Sequence, residues 1–331
     1  MAPRWYTTLD LDYARSVYPL VRDVAEFWRA WLKPEGDLLV IRDDAIHEGS
    51  GDNVNPILTL GLLRMALPLA ADMAAALGVD AELARQWSAI PARLAPFPTQ
   101  QVRDLPAGSR RHLGPEWNDR TIFRYSGQGP AWWGDNTLGI QHIYPSGAIG
   151  LDSDPTLLAI ARNTLVALSR WSDFNGTNSL YPAAARLGWE PARLHEELLR
   201  YVTERTRPNG FLKGNPHGIE NLSTVPNTLQ EMLLQSHEGP VRLFPCWPRD
   251  KDASFRDLRA YGAFRVSAEL KSGEVGAVSM VSDRGQPLTL VNPWPGRRVR
   301  VTRDGRVAET VEGERFTLAT RAGDGLALAA E

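Results

Sequence analysis

The sequence predicts a mainly α protein with a β tail: an incomplete toroid of helix hairpins over residues 1–240, then a small antiparallel β-sandwich over 241–331. Before residue 240, apolar residues recur at helical spacing in about seven segments. Beyond it the period changes from 3.6 to 2, as in FRVSAEL. Ser272–Gly273 and Asp304–Gly305 then supply two-residue hairpin turns.

The first helix is expected over roughly Asp12–Leu32, with Val17, Leu20, Val24, Phe27, Trp28 and Trp31 on one face and Pro19 as a kink. Leu38–Ile41 is a short extended segment, followed by RDDAIHEGSGDN, which is dense in carboxylates and glycine. Asn55–Pro56 reads as an N-cap with proline at the first helical position, opening a helix that runs to Leu77 and stops at Gly78. Asp80 should cap the next. From Pro96 to Gly150 helical period is lost, and Trp117, Trp132 and Trp133 fall among many glycines. So long a connection is usually functional or disordered, and its aromatic content argues for cleft-lining loops. Helices resume at Asp154–Pro155, near Ser179–Leu187, from Pro191 to about Arg205, and over Ser223–Ser236. The strand run then includes GAVSMV, PLTLVN, RVRVT, RFTLAT and LALAA.

The 331-residue chain is long enough for two domains. A formal net charge of −2 and no basic patch interleaved with aromatics argue against a nucleic-acid partner. Cys246 is the single cysteine, so no disulfide framework and no cysteine metal site is expected. His47–Glu48 lacks the second histidine of HExxH, GxGxxG and P-loop patterns are absent, and no metal or cofactor is expected. MAPRWYTTLDLDY lacks the apolar core of a signal peptide, which leaves the compartment open. No run of about 18 apolar residues is found, so no membrane span is expected. Eleven tryptophans against nine phenylalanines suit a carbohydrate cleft, and suit a large core almost as well.

The stretch Asn215–Asp250 concentrates chemistry. Glu220 lies in a polar loop beside Asn215, His217 and Asn221, and Ser223 or Thr224 can cap the helix behind it. A loop carboxylate at the mouth of a buried helix is held in place yet reaches solvent, a position suited to acid–base work. The plainer reading is that Glu220 and His217 satisfy loop backbone groups.

GIENLSTVPNTLQEMLLQSHEGPVRLFPCWP resembles the family 95 glycoside hydrolases, the α-L-fucosidases. Counting back from EMLLQS, their catalytic aspartate falls on Glu220. IRDDAIHEGSGDNVNPILTLGLLRMAL is similar to their segment carrying the general acid, which makes Glu48 the candidate. IQHIYPSG, with His142, looks like their sugar-contacting histidine before Tyr-Pro. The resemblance implies the second half of an (α/α)6 barrel plus a C-terminal β domain. It departs at the base, which is Glu rather than Asp. It also departs six residues earlier, where Gly214 replaces a histidine, and in the missing Ser-Pro-Glu-Asn context of the acid.

The implied reaction is inverting hydrolysis of a terminal sugar, an α-L-fucoside or a relative. Glu48 is the acid and Glu220 the base, about 6.5–9.5 Å apart so that a water fits between them. Asp43, Asp44 and Asp52 compete for the acid role. Asn53, Asp135, Asn136, His142, Asn215, His217 and Asn221 are candidate hydroxyl contacts, and Trp132 and Trp133 a candidate stacking platform. The expected partner is an oligosaccharide or polysaccharide. A missing barrel half is a candidate partner, and the apolar helix faces exposed by a half toroid are expected to drive self-association. Two other readings stay open: a non-catalytic carbohydrate-binding remnant, and a polysaccharide lyase using His or Tyr.

Overall fold

The computed structural model describes residues 1–132, 137–172, 175–215 and 218–331. The chain divides into two compact units, each discontinuous in sequence. Residues 15–189 and 196–228 form a helical unit; residues 1–14, 190–195 and 229–331 form a β unit.

Eight α-helices are found among the described residues: α1 (Ala2–Thr8), α2 (Leu11–Trp31), α3 (Ile57–Leu77), α4 (Ala81–Ala89), α5 (Pro155–Leu168), α6 (Thr177–Arg186), α7 (Pro191–Arg200) and α8 (Thr224–Leu233). α1 was not expected from the sequence. α7 runs into a π-helical turn, Tyr201–Arg205, and α8 is preceded by a 3-10 turn, Ile219–Ser223.

In the helical unit some cap signatures are met and others are diverted by tertiary partners. At Asp154 the expected cap forms, accepting from Thr156 N at 2.9 Å and Leu157 N at 3.3 Å. At α3 it does not. Val54–Pro56 pairs as a strand with Ser126–Gln128, and Asn55 Oδ1 accepts from Ile41 N at 2.8 Å instead. Asp80 precedes α4 but accepts from Tyr18 Oη at 2.8 Å and Arg22 Nε at 3.1 Å, with no cap bond.

α2 also turns a different face inward. Ala14, Tyr18, Val21 and Ala25 are buried, whereas Leu20, Val24, Phe27 and Trp31 are 56%, 38%, 54% and 38% exposed. Phe27 and Trp31 stack on each other, with ring centroids 5.6 Å apart.

α3 is long and apolar enough to cross a bilayer by length and composition, a run the sequence reading missed because Arg64 and Asp72 interrupt it. Its apolar stretch is 61% buried within the protein, the setting of a core helix. Arg64 is accommodated by donating to the carbonyls of Leu60 at 3.0 Å and Ala95 at 2.9 Å, with its guanidinium 4.6 Å from the Phe97 ring centre.

The region 96–150 is built of short pieces. Thr99–Gln101 pairs with Thr121–Phe123, and Leu138–Ile140 forms a 3-10 turn. Ile122 and Phe123 are fully buried, and Trp132 packs against the cluster of Val102, Leu105, Ile122 and Ala167.

The β unit follows its local signals. Its main sheet has seven antiparallel strands. Phe264–Lys271 is flanked by Ala253–Ala260 on one side and by Glu274–Val275 and Val278–Ser282 on the other. Gly325–Ala330, Val299–Arg303 and Arg306–Val311 complete it. Phe264, Val266, Ala268 and Leu270 face the core in strict alternation. Both expected hairpin turns take two positive φ values, 50° and 83° at Ser272–Gly273 and 48° and 82° at Asp304–Gly305, as a type I′ turn requires. Leu288–Val291 pairs separately with Arg315–Leu318, and their Leu288, Leu290, Phe316 and Leu318 join the main sheet's core. The tryptophans Trp5, Trp87 and Trp294 are buried.

Candidate functional site

The candidate glutamates both belong to the helical unit, on loops that lead into α3 and α8. Glu220 sits exposed on the 3-10 turn Ile219–Ser223, and its carbonyl accepts from Ser223 Oγ at 2.6 Å. The next residue, Asn221, is buried. Its Oδ1 accepts from Thr177 Oγ1 at 3.1 Å and its Nδ2 donates to Gly218 O at 3.3 Å. Thr177 Oγ1 also lies 3.2 Å from Tyr201 Oη and 3.1 Å from Thr224 Oγ1. The first turn of α6, the π-helical turn and the start of α8 therefore meet in one buried polar knot directly beneath Glu220. Thr224, expected as a cap, spends its hydroxyl there.

Gly218 is the tight point of the loop. Its N–H donates to Asn215 Oδ1 at 3.0 Å. A Cβ on it would meet Asn221 Nδ2 at 2.6 Å and Asn215 Nδ2 at 2.7 Å, so two amides wrap this glycine and a larger residue would displace them. Under the knot lies an aromatic floor. Tyr181 and Tyr201 pack with centroids 5.4 Å apart, Trp171 meets Tyr181 edge-on at 5.2 Å, and Tyr181 Oη donates to Trp171 O at 2.7 Å.

Glu48 is exposed in the loop closed by the Asp44–Asn53 bridge. This loop is held locally. Ser50 Oγ accepts from Ile46 N at 3.1 Å and His47 N at 3.0 Å. Fully buried Asn53 donates from Nδ2 to Asp44 O at 2.8 Å and to Ser50 Oγ at 3.3 Å. The Asp44 carboxylate accepts from Thr59 Oγ1 at 2.7 Å, which ties the loop to α3. Asp43 and Asp52, the competing carboxylates, are exposed at φ 55°.

His142 has no exposed surface. Its ring sits between Phe97 at 4.7 Å and Phe123 at 4.4 Å, and neither ring nitrogen has a hydrogen-bond partner among the described residues. Burial, with the Arg64 guanidinium adding to it, lowers its pKa to about 3. Its backbone packs directly on α3, where a Cβ at Gly61 would lie 2.5 Å from His142 Cα. Arg186 of α6 clamps the same segment by donating to Ile143 O at 3.0 Å.

The structure thus brings Asn215, Glu220 and Asn221 together. It gives Asn53 to the Glu48 loop, and it encloses His142 among aromatic rings. Trp132 is half-buried beside Tyr125, with centroids 5.6 Å apart. Trp133, Asp135, Asn136 and His217 lie outside the described residues. Among the described residues no three His, Cys, Asp or Glu side chains converge as a metal site. Sequence reasoning missed Thr177 and Tyr201. Thr177 opens α6 and Tyr201 begins the π-helical turn after α7, and neither stands in a motif that would have singled it out.

No family model matches the chain, and no curated protein matches it in sequence. Several solved structures are similar in fold, three of which follow. A putative kojibiose phosphorylase from the human microbiome has a TM-score of 0.42 and 8% identity, over 93% of this chain and 46% of that one. The Streptomyces avermitilis α-L-rhamnosidase complexed with L-rhamnose has a TM-score of 0.48 and 14% identity, over 98% and 32%. A GH127 β-L-arabinofuranosidase from Geobacillus stearothermophilus T6 has a TM-score of 0.22 and 12% identity, over 81% and 41%. The chain spans less than half the length of each.

Proposed function

We propose that the helical unit is part of a glycosidase-like catalytic domain that hydrolyses a terminal sugar with inversion. Glu220 is the base that activates water and Glu48 the acid that protonates the leaving oxygen. The architecture this assigns is a partial (α/α)6 toroid with a β-sandwich tail, and the sugar class is an α-L-fucoside or a relative. One observation carries the reading: Glu220 is exposed, yet its turn is fixed by the buried Asn221–Thr177–Tyr201–Thr224 knot. A base must reach the substrate without wandering, and a rigid second layer supplies that. Asn215 and His217 are the sugar contacts proposed at this loop, which buried Asn221 holds in place; Asn53 and His142 support the acid side, and Trp132, Trp133 and Asp135 are further proposed sugar contacts.

The test is hydrolysis of a panel of nitrophenyl glycosides. Glu220→Gln and Glu48→Gln should each remove at least about 100-fold of the rate. Turnover that survives both substitutions overturns the assignment.

A second reading is favoured by the exposure of both glutamates, since an acid is usually raised into range by burial. In it the chain binds glycan without turnover and needs a further barrel segment to enclose the carboxylates. Saturable oligosaccharide binding with no product on any substrate in the panel distinguishes it.

A further inference from the structure

Three turns of the β unit enclose a pocket of about 360 Å³. The first, closed by Lys251 N donating to Pro248 O at 3.2 Å, presents Arg249. The second is the Ser272–Gly273 hairpin, anchored by Ser272 N donating to Asp252 Oδ1 at 2.8 Å, and it presents Glu274. The third runs over 292–297 and presents Pro293, Pro295 and Arg297. Buried Asn292 locks it, accepting from Trp294 N and donating to Arg297 O, both at 3.0 Å. The Trp294 indole then donates to Val275 O at 2.7 Å, pinning the third turn to the second. The three turns are fixed before any ligand arrives, so the backbone of the pocket needs no ordering on binding, and only the exposed side chains do.

Its polar groups are unspent. Arg249 and Glu274 make no side-chain ion pair or hydrogen bond among the described residues. Arg297 donates from Nε to Glu331 O at 3.2 Å, which leaves its two terminal nitrogens for a ligand.

We propose that this pocket binds a sugar acid, a uronate unit of a glycan. Two guanidinium groups against one carboxylate favour an anion, and the guanidinium fork matches a carboxylate. Glu274 accepts only, so it needs donors, which ring hydroxyls provide. The proline rings offer an apolar surface to the C–H face of the sugar. A neutral sugar leaves the arginines unpaired, and a bare anion leaves Glu274 facing like charge. Only a ligand with a carboxylate on one edge and hydroxyls on another satisfies both. The site uses no residue of the glycosidase reading and does not depend on it.

Calorimetric titration of the full chain with galacturonate and glucuronate oligosaccharides, matched neutral oligosaccharides and citrate tests this. The acidic oligosaccharides should bind saturably and more weakly as salt is raised. Arg249→Gln and Glu274→Gln should each cost about tenfold or more in affinity. Both pocket substitutions change exposed side chains, and unchanged thermal melting checks that the fold is intact. Absence of saturable uronate binding, equal binding of neutral sugars, citrate matching uronate, or affinity unchanged by Arg249→Gln overturns the proposal.

Discussion

The Glu220 loop and the Glu48 loop present the same group to solvent but are held by different means. Beneath Glu220, Asn221 reaches across to Thr177, whose hydroxyl also meets Tyr201 and Thr224, so three separate stretches of the chain share the knot. Around Glu48, the bonds of Ser50 and Asn53 stay within ten residues, and one bond, Thr59 to Asp44, leads to α3. A loop tied to several elements holds its carboxylate only while the whole unit is folded. A loop tied to itself keeps its shape through local bonds and can shift as a piece.

The largest expected effect separates neither loop but breaks what lies behind the Glu48 side. Gly61→Ala drives a Cβ to 2.5 Å of the His142 backbone, where no flexible atom can give way. It should cost about 3 kcal/mol by urea unfolding, the upper end for overpacking. Thr177→Val strands the hydroxyl or amide groups of Tyr201, Asn221 and Thr224 in a buried site. A loss of about 2–3 kcal/mol is expected, together with lost activity at Glu220. Asn53→Ala removes two local bonds from a buried amide and should cost about 1–2 kcal/mol. If Asn53→Ala proves the more damaging of the two, the contrast between the loops is inverted. Glu220→Gln, on an exposed side chain, should leave stability within about 0.5 kcal/mol while hydrolysis falls.

His142 adds a pH signature. Its unfolded imidazole titrates near 6.5 and the buried one near 3. Between those values the unfolded state binds the extra proton, so stability is full above pH 6.5 and falls as pH drops toward 3. The slope is about 1.4 kcal/mol per pH unit. His142→Leu should show a shallower acid slope than the parent in urea melts between pH 4 and 7. The smallest effect concerns α2. Its open stripe of Leu20, Val24, Phe27 and Trp31 should promote association at high concentration. Phe27→Asp should reduce the apparent mass by light scattering.

Much of this fold was legible because its signals are local. The alternation of FRVSAEL and the turns at Ser272–Gly273 and Asp304–Gly305 appear as read, since strand faces and type I′ turns are set by neighbouring residues. The Asp154 cap appears for the same reason. Asn55 and Asp80 carry equally good cap chemistry, but Ile41, Tyr18 and Arg22 compete for their oxygens, and those partners lie 14 to 62 residues away. The Glu220 loop was identifiable from its carboxylate and amides, but the Thr177–Tyr201 knot under it was not.

The sequence alone determined the alternation of the late strands, where their hairpins turn, and which loops carry the carboxylates. These follow from periodicity and from φ values that only certain residues tolerate. Tertiary structure alone decided which face of α2 is covered, which polar oxygens cap helices and which tie loops down, and that His142 lies between two phenylalanines. Each of those outcomes is a competition among partners distant in the chain, and only the folded packing sets who wins.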